Sequence, residues 1–357
     1  MTISPIERLW RNPVNPAGTN PAADDVAISS RIRLARNLAE FPFPSAAAPE
    51  QLTAIRDLVA DTVQRSRIFG AGMFRFDVAV LTTLDQEILF ERRLVSRDLL
   101  NNPAAGALLA RADESVSLMV NEEDHLRLQV FRPGFALEEA WQEIDRVDSR
   151  LEGKFNFAFH ETLGYLTSCP TNAGTGMRAS VMLHLPGLAM TGQITPLVHG
   201  AAKLNLAVRG AYGEGTENQG DLYQISNQAT LGESEVEIVE HLACVIRQII
   251  SFEQQAREKV QRKDRISLCD QVGRAYGLLR HGYSLSLSES LQALSYLRLG
   301  VVLRMFRSVD MAAVNRLWVH TNPAHLSKLA GRPLSGAEAD IERAVLFRRT
   351  LSGNAAE

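Results

Sequence analysis

The chain has 357 residues, 45% of them hydrophobic, and its 38 Lys and Arg nearly balance 41 Asp and Glu for a net charge of -3. That length suggests two or three domains with ample core, and the near-neutral balance argues against bulk nucleic-acid binding, which usually needs a basic excess. The three cysteines, Cys169, Cys244 and Cys269, are widely spaced with no CxxC pair, which argues against a disulfide framework or a zinc site. The start, MTISPIERLWRNP, lacks the basic-then-apolar pattern of a leader, and no apolar run approaches about 20 residues. Neither a signal peptide nor a bilayer span is expected, and a reducing, cytoplasmic location follows.

Residues 1–25 are rich in Pro, Asn and Ala and read as an irregular arm. A strand follows in VAISSRIRLARN, stopped by Pro42 and Pro44. Leu52, Ile55, Leu58, Val59 and Val63 recur on one face of a helix. Residues 115–120 and 125–131 flank the polar Asn121–Asp124 (NEED) and predict a β-hairpin. Leu137, Trp141, Ile144, Val147 and Leu151 mark another helix. Strands are expected at 178–185, 204–209 and 221–227. Between the last two lies a polar stretch, 210–220, with four glycines, which reads as a mobile surface loop. From Glu233 onward the patterns are helical: a run through Ile238, Leu242, Ile246 and Ile249, then 270–281, 288–306, 311–319 and 335–350. Ser335 and Glu338 have the spacing of a capping box for the last helix. The expected division is an arm (1–25), an α+β body (26–256) and a helical C-terminal domain (257–357).

The chemistry-bearing residues cluster near turns. No Walker A motif is present; Gly174-Thr175-Gly176 lacks the following Lys-Ser/Thr. Phosphates would then have to be held by arginine, whose planar fork matches phosphate oxygens and stays charged. Arg31 and Arg33 share one face of their strand and Arg36 takes the other. Arg127 follows the acidic turn, Arg178 follows the GTG turn, and Arg209 opens the glycine-rich loop. Singly, each reads best as a solvated surface charge; together, beside these turns, they point to an anion site. Glu122, Glu123 and Asp124 crowd the hairpin turn, and on an extended strand Glu123, His125 and Arg127 would share a face. An ordinary polar turn is the competing reading. Glu214 lies in the glycine-rich loop, where a flexible acidic loop is the alternative. Cys169 precedes Pro170, where a buried inert thiol competes with a substrate contact.

Four segments in order, SSRIR (29–33), NEEDHLR (121–127), SCPTNAGTGMRAS (168–180) and RGAYGEGTENQG…QISN (209–227), resemble the ATP:guanido phosphotransferases. TSCPTN, RASVMLHLP and NPAHLSKLAG resemble the bacterial protein-arginine kinase branch (McsB type). Phosphagen kinases carry a helical domain of about a hundred residues ahead of the first motif. Here that motif begins at Ser29, so a more open acceptor site, suited to protein-borne arginine, is expected.

The resemblance implies an α+β fold, an antiparallel sheet flanked by helices as in glutamine synthetase and guanido kinases, with a C-terminal helical domain. It implies ATP and Mg²⁺ as cofactors, and transfer of the γ-phosphoryl to protein arginine, marking proteins for degradation in a stress response. It implies an ATP site of Ser29, Ser30, Arg31, Ile32, Arg33, Arg127, Arg178, Ala179, Ser180, Val181, Met182, Arg209, Gly210, Ala211, Tyr212, Gly213 and Glu214. Glu123 matches the carboxylate that orients the guanidinium and acts as base, Glu214 the second carboxylate, and Cys169 the cysteine beside the guanidino group. Arg93 stands where the family often has His on the adenosine side. In the tail, Ala339 replaces the first Arg of an RDxxRA signature, leaving Asp340 and Arg343 of a phosphoarginine pocket; a helical ion pair is the equal alternative. Protein substrates, a zinc-binding activator, an AAA+ chaperone or protease and a second copy are the implied partners, with no nucleic acid and no membrane. Two other functions fit the same residues: a small-molecule guanidine kinase, and a non-catalytic chaperone or protease adaptor.

Overall fold

The computed structural model describes residues 5–11, 25–70, 72–210, 219–306 and 309–352. In chain order its elements are α1 (Pro5–Arg11), β1 (Ala27–Arg36), α2 (Pro49–Arg65), β2 (Met73–Asp77), α3 (Thr83–Glu91), α4 (Arg97–Asn101), β3 (Ala107–Arg111), β4 (Val116–Val120), β5 (Leu126–Pro133) and α5 (Leu137–Glu152). Then come β6 (Phe159–His160), β7 (Gly164–Tyr165), β8 (Met177–His184), α6 (Pro186–Met190), α7 (Ile194–Lys203), β9 (Leu206–Gly210) and β10 (Leu222–Asn227). The rest is helical: α8 (Glu235–Lys263), α9 (Arg265–His281), α10 (Leu287–Val302), α11 (Met311–His320), α12 (Pro323–Ala330) and α13 (Gly336–Leu351). An eight-stranded sheet has the order β2-β3-β4-β5-β1-β8-β10-β9, and β6 and β7 form a separate hairpin. This is the expected α+β architecture. Among the described residues, no helix is long and apolar enough to cross a membrane.

The chain divides into two compact units. The first comprises Met1–Asn15, Ser29–Val181 and Ser226–Cys244. In its sheet β2/β3, β3/β4, β4/β5 and β5/β1 are antiparallel pairs. Strand alternation sorts the side chains of β1 and β5 into two faces. Ile32, Leu34, Leu128 and Val130 go to one face and are fully buried. Helix α5 presents Leu137, Ala140, Ile144, Val147 and Leu151, a helical stripe, all buried. Arg36, on the same side of β1, reaches Asp148 of α5 with Nη2 at 2.7 Å, so that face is the helix-covered one. The opposite face carries Arg31, Arg33, Arg127 and Gln129. Farther along the sheet, Leu108, Ala110 and Met119 on this second face join a core with Leu89, Leu94, Val95 and Leu99 from α3, α4 and their link.

Two expectations fail in this unit. The arm is not irregular at its start: Pro5–Arg11 is helical, and Ile6 and Leu9 are buried in that same core. Its Pro and polar residues obscured a single apolar turn. Glu123, His125 and Arg127 do not share a strand face either. Strand β5 begins only at Leu126, and residues 121–125 close a tight turn, Asn121 N donating to His125 O (2.9 Å) and Glu122 N to Asp124 O (3.1 Å).

The second unit comprises Pro16–Ile28, Met182–Ile225 and Val245–Glu357. Its tail helices bury Phe347 among Leu279, Leu285, Leu291, Leu294, Leu297, Val314 and Leu317. Helix α10 ends at Val302, four residues before the expected 306. The expected capping box at Ser335 does not form: Ser335 makes no side-chain cap bond, and Glu338 Oε2 instead accepts from Arg332 Nη1 at 3.1 Å. The box forms at Ser286 and Glu289, where Ser286 Oγ accepts from Glu289 N and the Glu289 carboxylate accepts from Ser286 N.

Candidate active site

On the face of the first unit's sheet opposite α5, β1 sets Arg31 opposite Phe131, Arg33 opposite Gln129 and Ala35 opposite Arg127 of β5. Residues directly opposite in a ladder share a face, so Arg31, Arg33 and Arg127 lie together. Strand β8 lies on the other side of β1. Ala35 N donates to Gly176 O (2.9 Å) and Ser180 Oγ donates to Arg31 O (3.3 Å), which brackets Arg178 beside Arg33. Arg178 Nη2 donates to Ser226 Oγ at 3.4 Å.

Four guanidinium groups on one partly buried face repel one another. Burial, then the charges of Arg93, Arg127 and Arg178, push Arg31 down to about 9. Burial, followed by Arg31, Arg127 and Arg178, holds Arg33 well below the usual range. Arg33 Nε is buried with no hydrogen-bond partner. A buried cationic donor without an acceptor is costly. A polyanion seated here would supply the acceptor and the opposite charge at once.

Arg93 is the member that strand parity could not reveal. Helix α3 packs on the same face, and its chain continues through Arg92, whose Nε donates to Glu114 Oε2 at 2.9 Å. Arg93 then takes a left-handed conformation, φ 62°, an uncommon state for a non-glycine residue. Its carbonyl accepts from Gln129 Nε2 at 3.0 Å. Gln129, opposite Arg33, thereby fixes the bend that brings the Arg93 charge to bear on Arg31.

The acidic turn lies at the end of β5. The Glu122 side chain is fully buried and pairs with Arg127, Nη1 to Oε1 at 2.7 Å. Burial would raise its pKa, but Arg127, Ser96 and the Glu123 amide outweigh burial and lower it. Glu122 is therefore the structural partner of Arg127. Glu123 is exposed at the tip of the turn. Burial, then Asp124, push its pKa up against the pull of Arg127, with Glu122 and Asp98 adding to the rise.

Asp124 is buried and its Oδ1 accepts from Asn37 Nδ2 (2.6 Å) and from the backbone N of Ser168 (2.7 Å). His125 is pinned on both ring nitrogens, Nδ1 accepting from Leu38 N (3.1 Å) and Nε2 lying 3.0 Å from Pro42 O. The bond to Ser168 ties the segment of half-buried Cys169 to the turn of Glu123. The Cys169 Sγ lies 3.0 Å from Thr171 Oγ1.

The GTG turn packs its backbone against the protein, Gly174 N donating to Tyr165 O at 3.3 Å. Thr175 N donates to Thr230 O at 2.8 Å. A Cβ on Gly174 would lie 2.2 Å from Thr230 O, and one on Gly176 would lie 2.6 Å from Ala35 O. These glycines permit close backbone packing. Ser30, Ile32, Ala179 and Val181 are buried. Ser30 Oγ donates to Gly134 O and accepts from Ala136 N, both at 2.9 Å, and Ala179 N donates to Asn227 Oδ1 at 2.8 Å. They support the arginine strands. Ser29 is buried on the arginine side of β1. In the second unit, Met182 is part of the tail core. Arg209, which is exposed, and Gly210 end β9. Ala211, Tyr212, Gly213 and Glu214 lie outside the described residues. Arg343 is buried, and its donors go to Thr321 O (Nε, 3.1 Å), Leu285 O (Nη1, 2.8 Å) and Asp340 Oδ1 (Nη1, 2.7 Å).

A family model for the ATP:guanido phosphotransferase C-terminal catalytic domain matches residues 57–256, and one for the protein-arginine kinase McsB C-terminal domain matches residues 265–357. The chain belongs to the ATP:guanido phosphotransferases, in their protein-arginine kinase branch. It is 46% identical to the protein-arginine kinase of Caldanaerobacter subterraneus subsp. tengcongensis, over 90% of this chain and 95% of that one. It is 45% identical to that of Moorella thermoacetica, over 97% and 99%. Among solved structures, a lombricine kinase shares the fold with a TM-score of 0.55 at 21% identity, covering 68% of this chain and 70% of that one. A substrate-free duplicated taurocyamine kinase from Schistosoma mansoni shares it with a TM-score of 0.58 at 19% identity, covering 92% and 50%. A guanido phosphotransferase uses ATP, and the crowded arginine face, with its unsatisfied Arg33 Nε, suits a nucleotide's phosphates.

Sequence reasoning in this kinase overlooked Gln129, Asn37 and Asp124 as positioning groups. Each takes a hydrogen bond to a partner at least 36 residues away in the chain. No local pattern announces such a partner.

Proposed function

We propose that this protein transfers the γ-phosphoryl group of ATP to the guanidinium of arginine side chains in proteins. The observation that carries this reading is one arginine face, Arg31, Arg33, Arg127 and Arg178 with Arg93, adjoining the exposed carboxylate of Glu123. The first four match phosphate-gripping positions, and Arg209 would join them. Arg93, with a charge where the family often has His, adds to the phosphate grip.

A guanidinium has a pKa above about 12 and is a poor nucleophile. Glu123 holds it by charge and hydrogen bonds in line with the phosphoryl group and accepts the proton lost as the N–P bond forms. The bond from phosphorus to the ADP oxygen breaks, and the arginines stabilise the charge that gathers there. A raised Glu123 pKa makes it a better proton acceptor than an ordinary surface glutamate. Glu214 acts as the second carboxylate, and Cys169 lies against the guanidino group. Among the described residues no three His, Cys, Asp or Glu side chains gather as metal ligands. Mg²⁺ arriving on ATP would be held mainly by phosphates and water and would supply charge neutralisation. The protein is read as cytoplasmic and homodimeric, acting with a zinc-binding activator and an AAA+ chaperone or protease on proteins marked for degradation.

The test is incubation with Mg-ATP and an arginine-rich protein, followed by mass-spectrometric mapping under mild, non-acidic conditions. Acid-labile phosphate on arginine is expected. ATP binding without transfer to any protein overturns the reading, and efficient turnover of free arginine or creatine replaces it with a small-molecule kinase.

A further inference from the structure

We propose that the β6–β7 hairpin is a docking surface for the substrate polypeptide, reading an apolar side chain a few residues from the acceptor arginine. This rests on the reading that Glu123 holds that arginine. The hairpin displays two large apolar side chains to solvent, Phe159 at 58% and Leu163 at 46% exposure. Phe159 is not loose. It meets Tyr165 edge-on at 5.3 Å, Tyr165 meets Phe157 at 6.2 Å in the same manner, and the Arg36 guanidinium lies 3.5 Å over the Tyr165 ring. A rigid aromatic step of this kind binds with little entropy to lose, and exposed aromatics are the usual anchors of protein contacts.

The occupant follows from what the hairpin is joined to. Asn37 accepts from Ala158 N at its backbone O (2.8 Å), and its Nδ2 donates to Leu166 O (3.2 Å) and to Asp124 Oδ1 (2.6 Å). Ala158 precedes Phe159, Leu166 follows Tyr165, and Asp124 follows Glu123. One asparagine therefore holds the apolar step and the acceptor carboxylate in a single frame. An extended polypeptide advances about 3.3 Å per residue, and the proposal is that a segment held by its arginine at Glu123 runs on past the shared Asn37 frame to the hairpin. Exposed carboxylates border the step: Glu161 lies in the hairpin loop, and Glu152 accepts from Tyr165 Oη at 3.5 Å. They favour a cationic, arginine-bearing segment over an acidic one. The partner is a locally extended stretch of protein carrying Arg with an apolar neighbour.

The experiment uses synthetic peptides with one Arg in a neutral polar background, with Leu placed singly at each position from four before to four after it. Phosphoarginine formation is measured as kcat/KM for the full-length wild type, the doubly substituted Phe159→Ser/Leu163→Ser, and Val80→Ser, a control at another exposed apolar residue (81% exposed). The wild type and the Val80 variant should favour Leu at one or two positions by about tenfold over Ser, roughly the value of one buried apolar side chain. The double variant should bring that ratio near one. Transfer without any positional preference in the wild type, or a preference that survives the double substitution, overturns the docking proposal and leaves the kinase reading standing. No transfer to any peptide or protein overturns both. A change of oligomeric state by sedimentation in the double variant would assign this face to a second copy and also overturn the proposal.

Discussion

Asp124 accepts the backbone N–H of Ser168 at 2.7 Å, and this one bond fixes the residue before Cys169 against the residue after Glu123. The same carboxylate oxygen takes Asn37. A base at the tip of a tight turn would wander without such an anchor, and positioning is most of what this chemistry asks of a protein. Asp124→Ala should lower kcat at least tenfold with less change in KM for ATP. Loss of two charge-assisted bonds should also cost about 2–4 kcal/mol, read by denaturant unfolding. An unaltered kcat would remove Asp124 from the positioning role.

In the proposed reaction Glu123 works as its carboxylate, and its surroundings raise its pKa. Protonation on acidification therefore begins at a higher pH than for an ordinary glutamate, near 4.3. The acid limb of the kcat/KM profile should accordingly lie above that value. Glu123→Gln should cut kcat by about 10²-fold or more and flatten the limb. A limb that persists in the Gln variant belongs to another group.

The arginine face costs stability when nothing anionic is bound. Arg33→Met should raise Tm by about 2–4 °C, corresponding to roughly 1 kcal/mol, while weakening ATP binding severely. Wild-type Tm should rise with pyrophosphate, and the rise should shrink in the variant. Differential scanning calorimetry at low salt checks both. A variant less stable than the wild type would mean that the arginine serves packing and not phosphate.

Gln129, opposite Arg33, holds the Arg93 bend by donating to its carbonyl. Gln129→Leu should raise KM for ATP about fivefold, the value of one neutral hydrogen bond of about 1 kcal/mol, with kcat changing less. Arg93→Ala should raise it more. In the double variant the two effects should fail to add, because they remove one arrangement. Additive effects would separate the two residues.

In the tail, Arg343 is a packing residue by geometry, with two carbonyls and Asp340 around it. Arg343→Ala should destabilise the protein by about 2–3 kcal/mol, because buried carbonyls lose their donor. Arg343→Lys should restore little, lacking the planar fork. Phosphoarginine titration of the wild type, followed by calorimetry, tests whether this side chain also takes that ligand.

Short-range order was legible in the amino acids themselves. Strand alternation put Arg31 and Arg33 on one face and Arg36 on the other, and Arg36 does turn away to Asp148. Helical spacing found α2, α5, α8 and the tail helices other than α12 (Pro323–Ala330), which no expected span covered. Ordered motifs named the family. All of these depend on residues within a turn or two of one another, where the chain's own geometry dictates which side chains are neighbours. Glycine was legible only as a turn. Whether Gly174 and Gly176 cradle phosphate or let Thr230 and Ala35 approach depends on which backbone lies opposite.

The tertiary structure alone decided who meets across the sheet. Arg93 joins the arginines because α3 folds onto the face opposite α5 and Gln129 catches its bend. Glu122 takes Arg127, leaving Glu123 at the tip of the turn with its raised pKa. Ser335 had the composition of a cap, but Arg332 took its glutamate. A polar side chain carries no periodic mark of its distant partner, because that partner is set by strand register and helix packing. The amino acids by themselves determined which groups this kinase has for its chemistry. The fold determined which of them share the arginine face, which stand at the exposed tip of the turn, and which hold the others in place.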